Sequence, residues 1–299
     1  MKKIKITEEN ASKRLDVFLT EYLNESRNFI LKNIKSGKIL VNNELVKGGY
    51  SLKENDEITI DELKIDTTVV ATNIPINILY EDDDIIVVNK KSGMVVHPGN
   101  GNYSNTLVNA LMYHTDELSD EAGDTRSGIV HRIDKDTSGI LLIAKTNKAH
   151  RILSDDFKNK KIKRRYIALV HGIIDSSKGK IVAPIGRSKF DRKKMCVTEE
   201  NSKKAVTNFI VLERYKSSTL VELSLETGRT HQIRVHMEYI NHPIVNDPVY
   251  GRREVINDYG QMLHAAYLGF NHPTTHEFIE FSVEPEEEFN EILEIFKNS

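Results

Sequence analysis

The densest group of reactive side chains lies in the segment IVHRIDKDTSGILLIAKT, residues 129–146, where apolar stretches flank a polar loop. The loop combines an arginine, two aspartates, a threonine and a serine: Arg132, Asp134, Asp136, Thr137 and Ser138. Loops that strands hold rigidly often carry catalytic residues. The same residue types are also ordinary in a strand-to-strand turn, so spacing alone leaves both interpretations open.

Two carboxylates on one loop permit a specific chemistry. Asp134 and Asp136 are two residues apart, and their side chains can splay to act as the carboxylate pair of a retaining glycoside or nucleoside hydrolase. The glycine-rich stretch SGMVVHPGNG lacks the spacings that cradle phosphate groups, and nothing resembles closely spaced Cys and His zinc ligands. We therefore expect neither a cofactor nor a metal.

Consecutive strands must hold this loop. Stretches rich in β-forming residues predict strands at 76–80, 85–89, 140–145, 166–174, 205–215, 219–225, 263–270 and 277–283. Helices are predicted at 106–114, 147–158 and 230–240, and a last one opens after Pro285. Because helices interrupt long runs of strands irregularly, we expect an α+β domain with a largely antiparallel mixed sheet.

The first 65 residues predict a smaller unit. Ser12 and Ser26 are candidate N-caps for two short helices with apolar stripes, and Gly37 fits the stop of the second. Residues 39–46 predict a hairpin that turns at two asparagines, and residues 57–60 predict a last strand.

The second of these helices carries one sign of charge. Arg27, Lys32, Lys35 and Lys38 fall in a stretch without an acidic residue. Such a face is either solvated or a nucleic-acid contact surface.

The order of these features resembles a known RNA-binding module. The run RLDVFLTEYLNESRNFILKNIKSGKILVNNELV, followed by LKENDEI, is similar to the S4 domain over nearly its whole length, with the RLD, SR, IxxG and VN landmarks. We therefore expect an S4-like domain at 1–65, a linker at 66–75 and a second domain at 76–299. The resemblance implies RNA as the partner.

The second domain also resembles a family. HRIDKDTSG is similar to the HRLDxxTSG signature of the RluA/RluD-type pseudouridine synthases, with Ile133 in place of leucine. KRRYIALVHG, ETGRTHQIRVHM, NDPVYG, LHA and NHP follow in family order, although Asn246 stands where glycine is common. The resemblance implies that the protein isomerises uridine to pseudouridine in structured RNA without a cofactor.

The family assigns roles to particular positions. The resemblance implies that Asp134 is the nucleophile, Tyr166 the active-site tyrosine and Arg234 the basic residue paired with Asp134. Breaking the N1–C1′ bond requires an ionised carboxylate, and a fixed cation keeps a partly buried carboxylate ionised. Arg132 is expected to fill the space that a flipped uridine vacates.

Weaker expectations concern the surroundings of this site. Ile233 is expected to line the pocket, and His97 lies in a segment that resembles a loop near the family's active site. The basic run containing Lys163, Arg164 and Arg165, and a second one at 187–194, suit phosphate contacts that position RNA.

Overall charge does not itself predict nucleic-acid binding, because the formal net charge is −2. The family resemblance favours ribosomal RNA of the large subunit, of the 23S type. The S4-like module also leaves open a non-catalytic RNA-binding ribosome assembly factor.

Length and composition set the remaining expectations. A chain of 299 residues with 39% hydrophobic and 29% charged residues predicts two soluble globular domains. A single cysteine, Cys196, excludes an internal disulfide framework and favours the reducing cytoplasm. No run approaches the roughly 20 apolar residues of a membrane span. We expect a cytoplasmic monomer.

Overall fold

The chain divides into two compact units, residues 1–67 and 68–299, in a computed structural model. The structure describes residues 2–23, 25, 27–61, 69–99, 102–191, 194–251 and 255–298.

The N-terminal unit packs two helices against a three-stranded antiparallel sheet. Its elements are β1 (Lys2–Lys5), α1 (Leu15–Leu23), α2 (Arg27–Lys35), β2 (Ile39–Val41) and β3 (Glu57–Ile60). β3 is the central strand. The helix pair and the strand at 57–60 are as predicted. β1 was not predicted, because Ile4 is the one buried residue among its four.

The predicted hairpin at 39–46 is wrong beyond its turn. Asn42 and Asn43 do turn the chain, with φ angles of 54° and 66°. However, β2 pairs with β3, and the return segment makes a single bridge from Val41 to Glu44. Leu45 is 62% exposed, and Val46 alone of this apolar pair packs against the core, so little buried apolar surface holds a second strand there.

The predicted cap of α1 is also wrong. Ser12 has a φ of 70°, outside the extended conformation of an N-cap residue. Carbonyls of the loop at 48–50 satisfy the first helical N–H groups instead: Leu15 N–H donates to Tyr50 O, and Asp16 N–H donates to Gly48 O. The other predicted cap, Ser26, lies outside the described residues.

The C-terminal unit is built on a nine-stranded mixed sheet. Its strands are β4 (Asn77–Glu81), β5 (Ile85–Lys90), β6 (Ser138–Ala144), β7 (Lys163–His171), β8 (Lys178–Val182), β11 (Val206–Arg214), β12 (Ser218–Leu225), β13 (Leu263–Asn271) and β14 (Phe278–Ser282). Their order is β4-β5-β6-β13-β7-β12-β11-β8, with β14 also paired to β13. The pairs are antiparallel except β6 with β13. This confirms the predicted α+β class.

Both faces of the sheet are covered, because alternate residues of a strand point to opposite sides. Ile86 and Val88 of β5 belong to the core beneath α3 (Leu107–His114), α5 (Gln232–Tyr239) and α6 (Glu287–Lys297). Ile85 and Val87 face the other side, toward α4 (Asn147–Lys158). Burial on both sides explains why β5 and β6 are almost continuously apolar.

Three short strands were not predicted: β8 and the two-stranded ribbon of β9 (Ile185–Arg187) and β10 (Met195–Val197). These strands have five, three and three residues, which are too few for a periodic pattern to appear.

The predicted domain boundaries stay a prediction. Part of the expected linker, residues 66–68, lies outside the described residues. From Val69 onward the chain contacts the C-terminal unit: Val69 is buried in its core, and Thr72 N–H donates to Asn109 O.

Candidate active site

The loop at 131–137 leads directly into β6 at the centre of the sheet, and buried polar groups hold it. Lys90 is fully buried, and its Nζ donates to the carbonyls of Lys91, Met94 and Lys135 at 2.7, 2.9 and 2.8 Å. Thr137 Oγ1 accepts from Gln261 Nε2 at 2.9 Å. Because buried polar groups are costly to leave unpaired, the bonds to Lys135 and Thr137 fix the chain directly after Asp134.

Burial strongly affects the ammonium group below this loop. Burial lowers the pKa of Lys90 to about 7, although the charges of Asp136, Glu286 and Asp134 oppose the shift. The three carbonyl acceptors match the three N–H donors of a protonated lysine.

The loop forms one wall of a cavity of about 550 Å³. The opposite walls come from β7, from the loop at 225–231 and from the start of α5. Residues that line it include Arg132, Ile133, Asp134, Thr137, Lys160, Arg164, Tyr166, Glu226, Arg229, His231, Ile233 and Arg234. Three predicted motifs, distant in sequence, therefore meet at one place.

Arg234 binds two carboxylates at once. Its Nη1 donates to Oδ2 of Asp134 at 2.9 Å, while its Nε and Nη2 donate to Oδ2 and Oδ1 of Asp247 at 2.7 and 2.8 Å. The side chain of Asp247 is 0% exposed, that of Arg234 6% and that of Asp134 21%. The trio carries one excess negative charge, and of the two carboxylates Asp134 is the one that lines the cavity.

These contacts keep the buried pair ionised. Burial would raise the pKa of Asp247, but hydrogen bonds and charge from Arg234, with the N–H groups of Tyr250 and Val249, lower it overall. Burial also opposes the charge on Arg234, and the two carboxylates reverse this effect, so the pKa of Arg234 is raised.

Tyr166 lies on β7, and its ring lines the cavity. The residue is 6% exposed, and burial raises the pKa of its hydroxyl, helped by the charge of Asp134 and opposed by Arg164. The hydroxyl therefore stays protonated at neutral pH.

The structure brings some predicted binding residues to the cavity and leaves others away from it. Arg132 is exposed at the cavity, Ile233 is buried in its wall, and Arg164 lines it with its guanidinium over the ring of Phe157. Lys163 and Arg165 are exposed beside it and stack on Phe278 and Tyr267.

His97 does not line the cavity among the described residues. Burial, together with the charges of Arg126 and Arg132, lowers the pKa of His97 to about 4. The loop that follows it is partly outside the described residues, as are Arg192 and Lys193 of the second basic run.

In the N-terminal unit, the predicted cations have different surroundings. Arg27 donates through Nε and Nη2 to Oδ2 of Asp16, at 2.9 and 2.7 Å. Lys32 and Lys35 are exposed on α2, and Lys38 is half-buried.

Several residues at the site were missed by sequence reasoning. Asp247 lies in the NDPVYG segment, where an aspartate before Pro248 is typical of a turn. The sequence therefore did not indicate that Asp247 is the partner of Arg234. Lys90 is the last residue of the apolar strand β5. A lysine at the end of a strand is usually exposed, so the sequence did not indicate a buried ammonium group that binds three carbonyls. His231 and Tyr250 carry no spacing signal that connects them.

The carboxylate pair of a retaining hydrolase is not assembled. Asp136 does not line the cavity among the described residues. The second acidic residue that does is Glu226, and Lys180 pairs with its carboxylate at 2.7 Å.

Comparisons with known proteins agree with this geometry. The model of the RNA pseudouridylate synthase family matches residues 84–239, which include the loop, Tyr166 and Arg234. The S4 domain model matches residues 13–58. The chain belongs to the RNA pseudouridine synthase family and is an enzyme of that class with an S4 domain. The alternative of a non-catalytic assembly factor is thereby set aside.

Relatives extend over almost the whole chain. An uncharacterized RNA pseudouridine synthase, YlyB of Bacillus subtilis, is 48% identical and covers 98% of both chains. The ribosomal large subunit pseudouridine synthase D of Zymomonas mobilis is 42% identical over 94% of this chain and 93% of its own. Human RNA pseudouridylate synthase domain containing 1 has a similar structure, with a TM-score of 0.60 and 30% identity over 72% of this chain and 85% of that one.

Membrane spans and metal clusters are both absent from the part of the chain that the structure describes. No helix there is long and apolar enough to span a membrane. No group of three or more His, Cys, Asp or Glu side chains in the same residues could hold a metal ion.

Proposed function

We propose that this enzyme converts particular uridines of large-subunit ribosomal RNA to pseudouridine, with Asp134 as the group that acts on the ribose. The observation that carries the proposal is the pairing of Asp134 with Arg234 in a cavity that also contains Tyr166. The proposed RNA target rests on the relatives named for the large subunit and on the S4 domain.

The reaction breaks the N1–C1′ bond, turns the retained uracil and joins C5 to C1′. As the first bond breaks, C1′ becomes electron-poor and the uracil takes the electron pair. Asp134 either bonds to C1′ or removes a ribose proton, and both routes use a carboxylate oxygen that Arg234 leaves open.

Arg234 serves the reaction by keeping Asp134 charged and oriented. A planar guanidinium with two N–H groups on Asp247 and one on Asp134 holds a fixed direction, which a flexible ammonium would not. The buried carboxylate of Asp247 prevents Arg234 from rotating toward solvent.

Tyr166 supplies a flat face for the detached uracil and a hydroxyl within the cavity. Since its raised pKa keeps the hydroxyl protonated, Tyr166 meets the base as a hydrogen-bond donor. It can give this proton to N1 of the detached uracil anion, and the resulting phenolate then takes the C5 proton once C5 has joined C1′, so Tyr166 ends protonated.

A uridine in folded RNA must leave its stack to reach Asp134. Arg132 is exposed two residues before Asp134, where its guanidinium can occupy the vacated space. Lys163, Arg164, Arg165 and the cations of α2, Arg27, Lys32, Lys35 and Lys38, are proposed to contact phosphates, and Ile233 and His97 to border the bound nucleotide.

The test uses ribosomal RNA from cells that lack the protein. Purified wild-type enzyme is added, and pseudouridines are mapped by carbodiimide-stop sequencing. We expect new stops at discrete large-subunit positions with wild-type and Asp136→Asn enzyme. Asp134→Asn should give none, with an unchanged thermal midpoint, because the shape of the side chain is preserved.

Each contrary outcome has a separate meaning. Stops confined to other RNAs would contradict the target, and free uracil as the product would indicate a hydrolase. Turnover by Asp134→Asn would contradict the role of Asp134.

A further inference from the structure

His231 lies where α5 begins, between the cavity and Tyr250, and has no role in the chemistry above. Its backbone is left-handed, with φ 55° and ψ 21°. Its side chain is 23% exposed and lines the cavity. Its Nε2 is 3.9 Å from Oδ1 of Asp134, whereas Arg234 binds the other oxygen, Oδ2.

Tyr250 determines which nitrogen of His231 carries the proton. The hydroxyl oxygen of Tyr250 accepts from Met195 N–H at 2.8 Å and lies 2.8 Å from Nδ1 of His231. Burial raises the pKa of Tyr250 to about 12, so the hydroxyl keeps its proton. Among the described residues, Nδ1 is the acceptor within reach of that O–H. The ring proton of neutral His231 is therefore on Nε2, the nitrogen nearer Asp134.

Burial favours the neutral form of His231. Burial lowers its pKa, and Arg234 and Arg132 act in the same direction, against the opposing effect of Asp134 and Asp247. The donor toward Asp134 is thus a neutral N–H that leaves the charge of the carboxylate intact.

We propose that His231 is a positioning residue: its Nε2–H, set by Tyr250, donates to Oδ1 of Asp134 when RNA fills the cavity. This inference rests on the proposed function of Asp134. The distance of 3.9 Å between Nε2 and Oδ1 is too long for a hydrogen bond. Catalytic hydrogen bonds are often long in free enzymes and shorten in the substrate complex.

The consequence is that both oxygens of the carboxylate are held. With Oδ2 on Arg234 and Oδ1 on His231, Asp134 cannot rotate, and Oδ1 keeps a lone pair for the reaction. Holding a reacting group in this way contributes to rate and little to RNA affinity.

Asparagine separates this role from a structural one. Asparagine adopts the left-handed conformation readily, so His231→Asn preserves the start of α5 while removing the Nε2 donor. His231→Gln keeps an N–H at similar reach. Tyr250→Phe keeps the ring and removes the O–H that sets the tautomer.

The first measurement is spectroscopic. Long-range ¹H–¹⁵N correlations of histidine-labelled full-length protein report the tautomer, and His231→Asn identifies the resonance. We expect Nε2–H in the wild type and mixed tautomers in Tyr250→Phe. An Nδ1–H tautomer in the wild type would overturn the proposal.

The second measurement is the single-turnover rate at saturating RNA, with a large-subunit fragment that the wild type modifies. His231→Asn and Tyr250→Phe should each slow the reaction about 10- to 100-fold without weakening RNA binding. His231→Gln should regain part of the rate, and the double variant should be no slower than His231→Asn, because both changes act on one interaction.

Tyr215→Phe is the matched control, since it removes a tyrosine hydroxyl that donates to Glu213 at 2.7 Å outside the cavity. It should keep the wild-type rate. Should Tyr250→Phe unfold, the Asn and Gln variants of His231 decide the question, because neither removes the hydroxyl that accepts from Met195.

Two failures are distinguishable. If Asp134→Asn is inactive while His231→Asn keeps full rate, or loses RNA affinity alone, the role of His231 is wrong and the proposed function stands. If Asp134→Asn modifies RNA at the wild-type rate, the proposed role of Asp134 is wrong, and the role of His231 is wrong with it.

Discussion

Each unit of the molecule contains a buried charge held between two charges of opposite sign, and the signs are reversed between the units. In the N-terminal unit, Asp16 accepts from Arg14 at 3.0 Å through both of its oxygens, and from Arg27 at 2.7 and 2.9 Å. The side chain of Asp16 is 0% exposed, whereas the two arginines are 53% and 55% exposed. The excess charge is positive and faces solvent.

In the C-terminal unit the central ion is Arg234, and the flanking ions are Asp134 and Asp247. Here Asp247 is fully buried and Asp134 lines the cavity. The excess charge is therefore negative and lies at the cavity wall. The comparison shows how one kind of ion pair yields two kinds of site. Partly exposed arginines suit phosphates, while a single sheltered carboxylate suits an electron-poor carbon.

Removing the central ion of the C-terminal trio should have the largest effect. We expect Arg234→Ala to lower the single-turnover rate about 100- to 1,000-fold, because Asp134 loses its fixed cation. Arg234→Lys should be intermediate. A near-normal rate in Arg234→Ala would remove Arg234 from the site.

Removing the central ion of the N-terminal trio should affect stability instead of chemistry. Asp16→Asn should lower the local stability of this unit by about 2 kcal/mol at pH 7, because it loses charged hydrogen bonds. Hydrogen bonds from Arg14, assisted by Arg27, lower the pKa of Asp16 to about 2 from 3.8.

The sign of this pH dependence follows from the lowered pKa. The contribution of Asp16 is fully present above about pH 4 and disappears as the pH falls through about 2. Amide hydrogen exchange of residues 15–60 should therefore differ between wild type and Asp16→Asn at pH 7 and converge near pH 2. Identical protection at pH 7 would mean that the trio does not stabilise the unit.

Arg132→Ala should have a smaller effect that depends on the substrate. If Arg132 fills the space left by the flipped uridine, its loss should slow modification about tenfold in a stem-loop and much less in an unstructured RNA with the same uridine. Equal losses on both RNAs, mimicked by added salt, would leave Arg132 as a phosphate-binding residue.

The smallest effect is expected from the exposed lysines of α2. Lys32→Gln with Lys35→Gln should weaken RNA binding a few-fold and flatten the slope of log affinity against log salt by about 0.9 for each phosphate that the protein no longer neutralises. Lys3→Gln is the matched control, because Lys3 already pairs with Glu57 at 2.6 Å. An unchanged salt slope in the double variant would contradict a phosphate-binding role for α2.

Much of the scaffold was predictable because its patterns are local. The helix at 147–158 was predicted with the bounds that the structure has, because apolar residues at helical spacing define it. β5 and β6 were found within two residues, because both of their faces are buried. The short strands β8, β9 and β10 contain too few residues for a period to appear.

The sequence predicted the site residues that lie in recognisable motifs. It did not predict the residues outside those motifs that hold them in place. Asp134, Tyr166 and Arg234 share the cavity as expected. Asp247 and Lys90 act through partners that composition does not reveal: Asp247 lies 13 residues after Arg234, and Lys90 binds the carbonyl of Lys135, 45 residues on. Only the packed sheet brings these groups together.

The parallel pairing of β6 with β13 has a consequence for the order in which the enzyme becomes active during synthesis. Asp134 precedes β6, and its partner Arg234 is 100 residues later, so the site is incomplete until β13 has emerged and paired. The elements of the N-terminal unit are complete at Ile60. Because domains generally fold as they emerge, a growing chain acquires its S4 domain well before it can modify RNA.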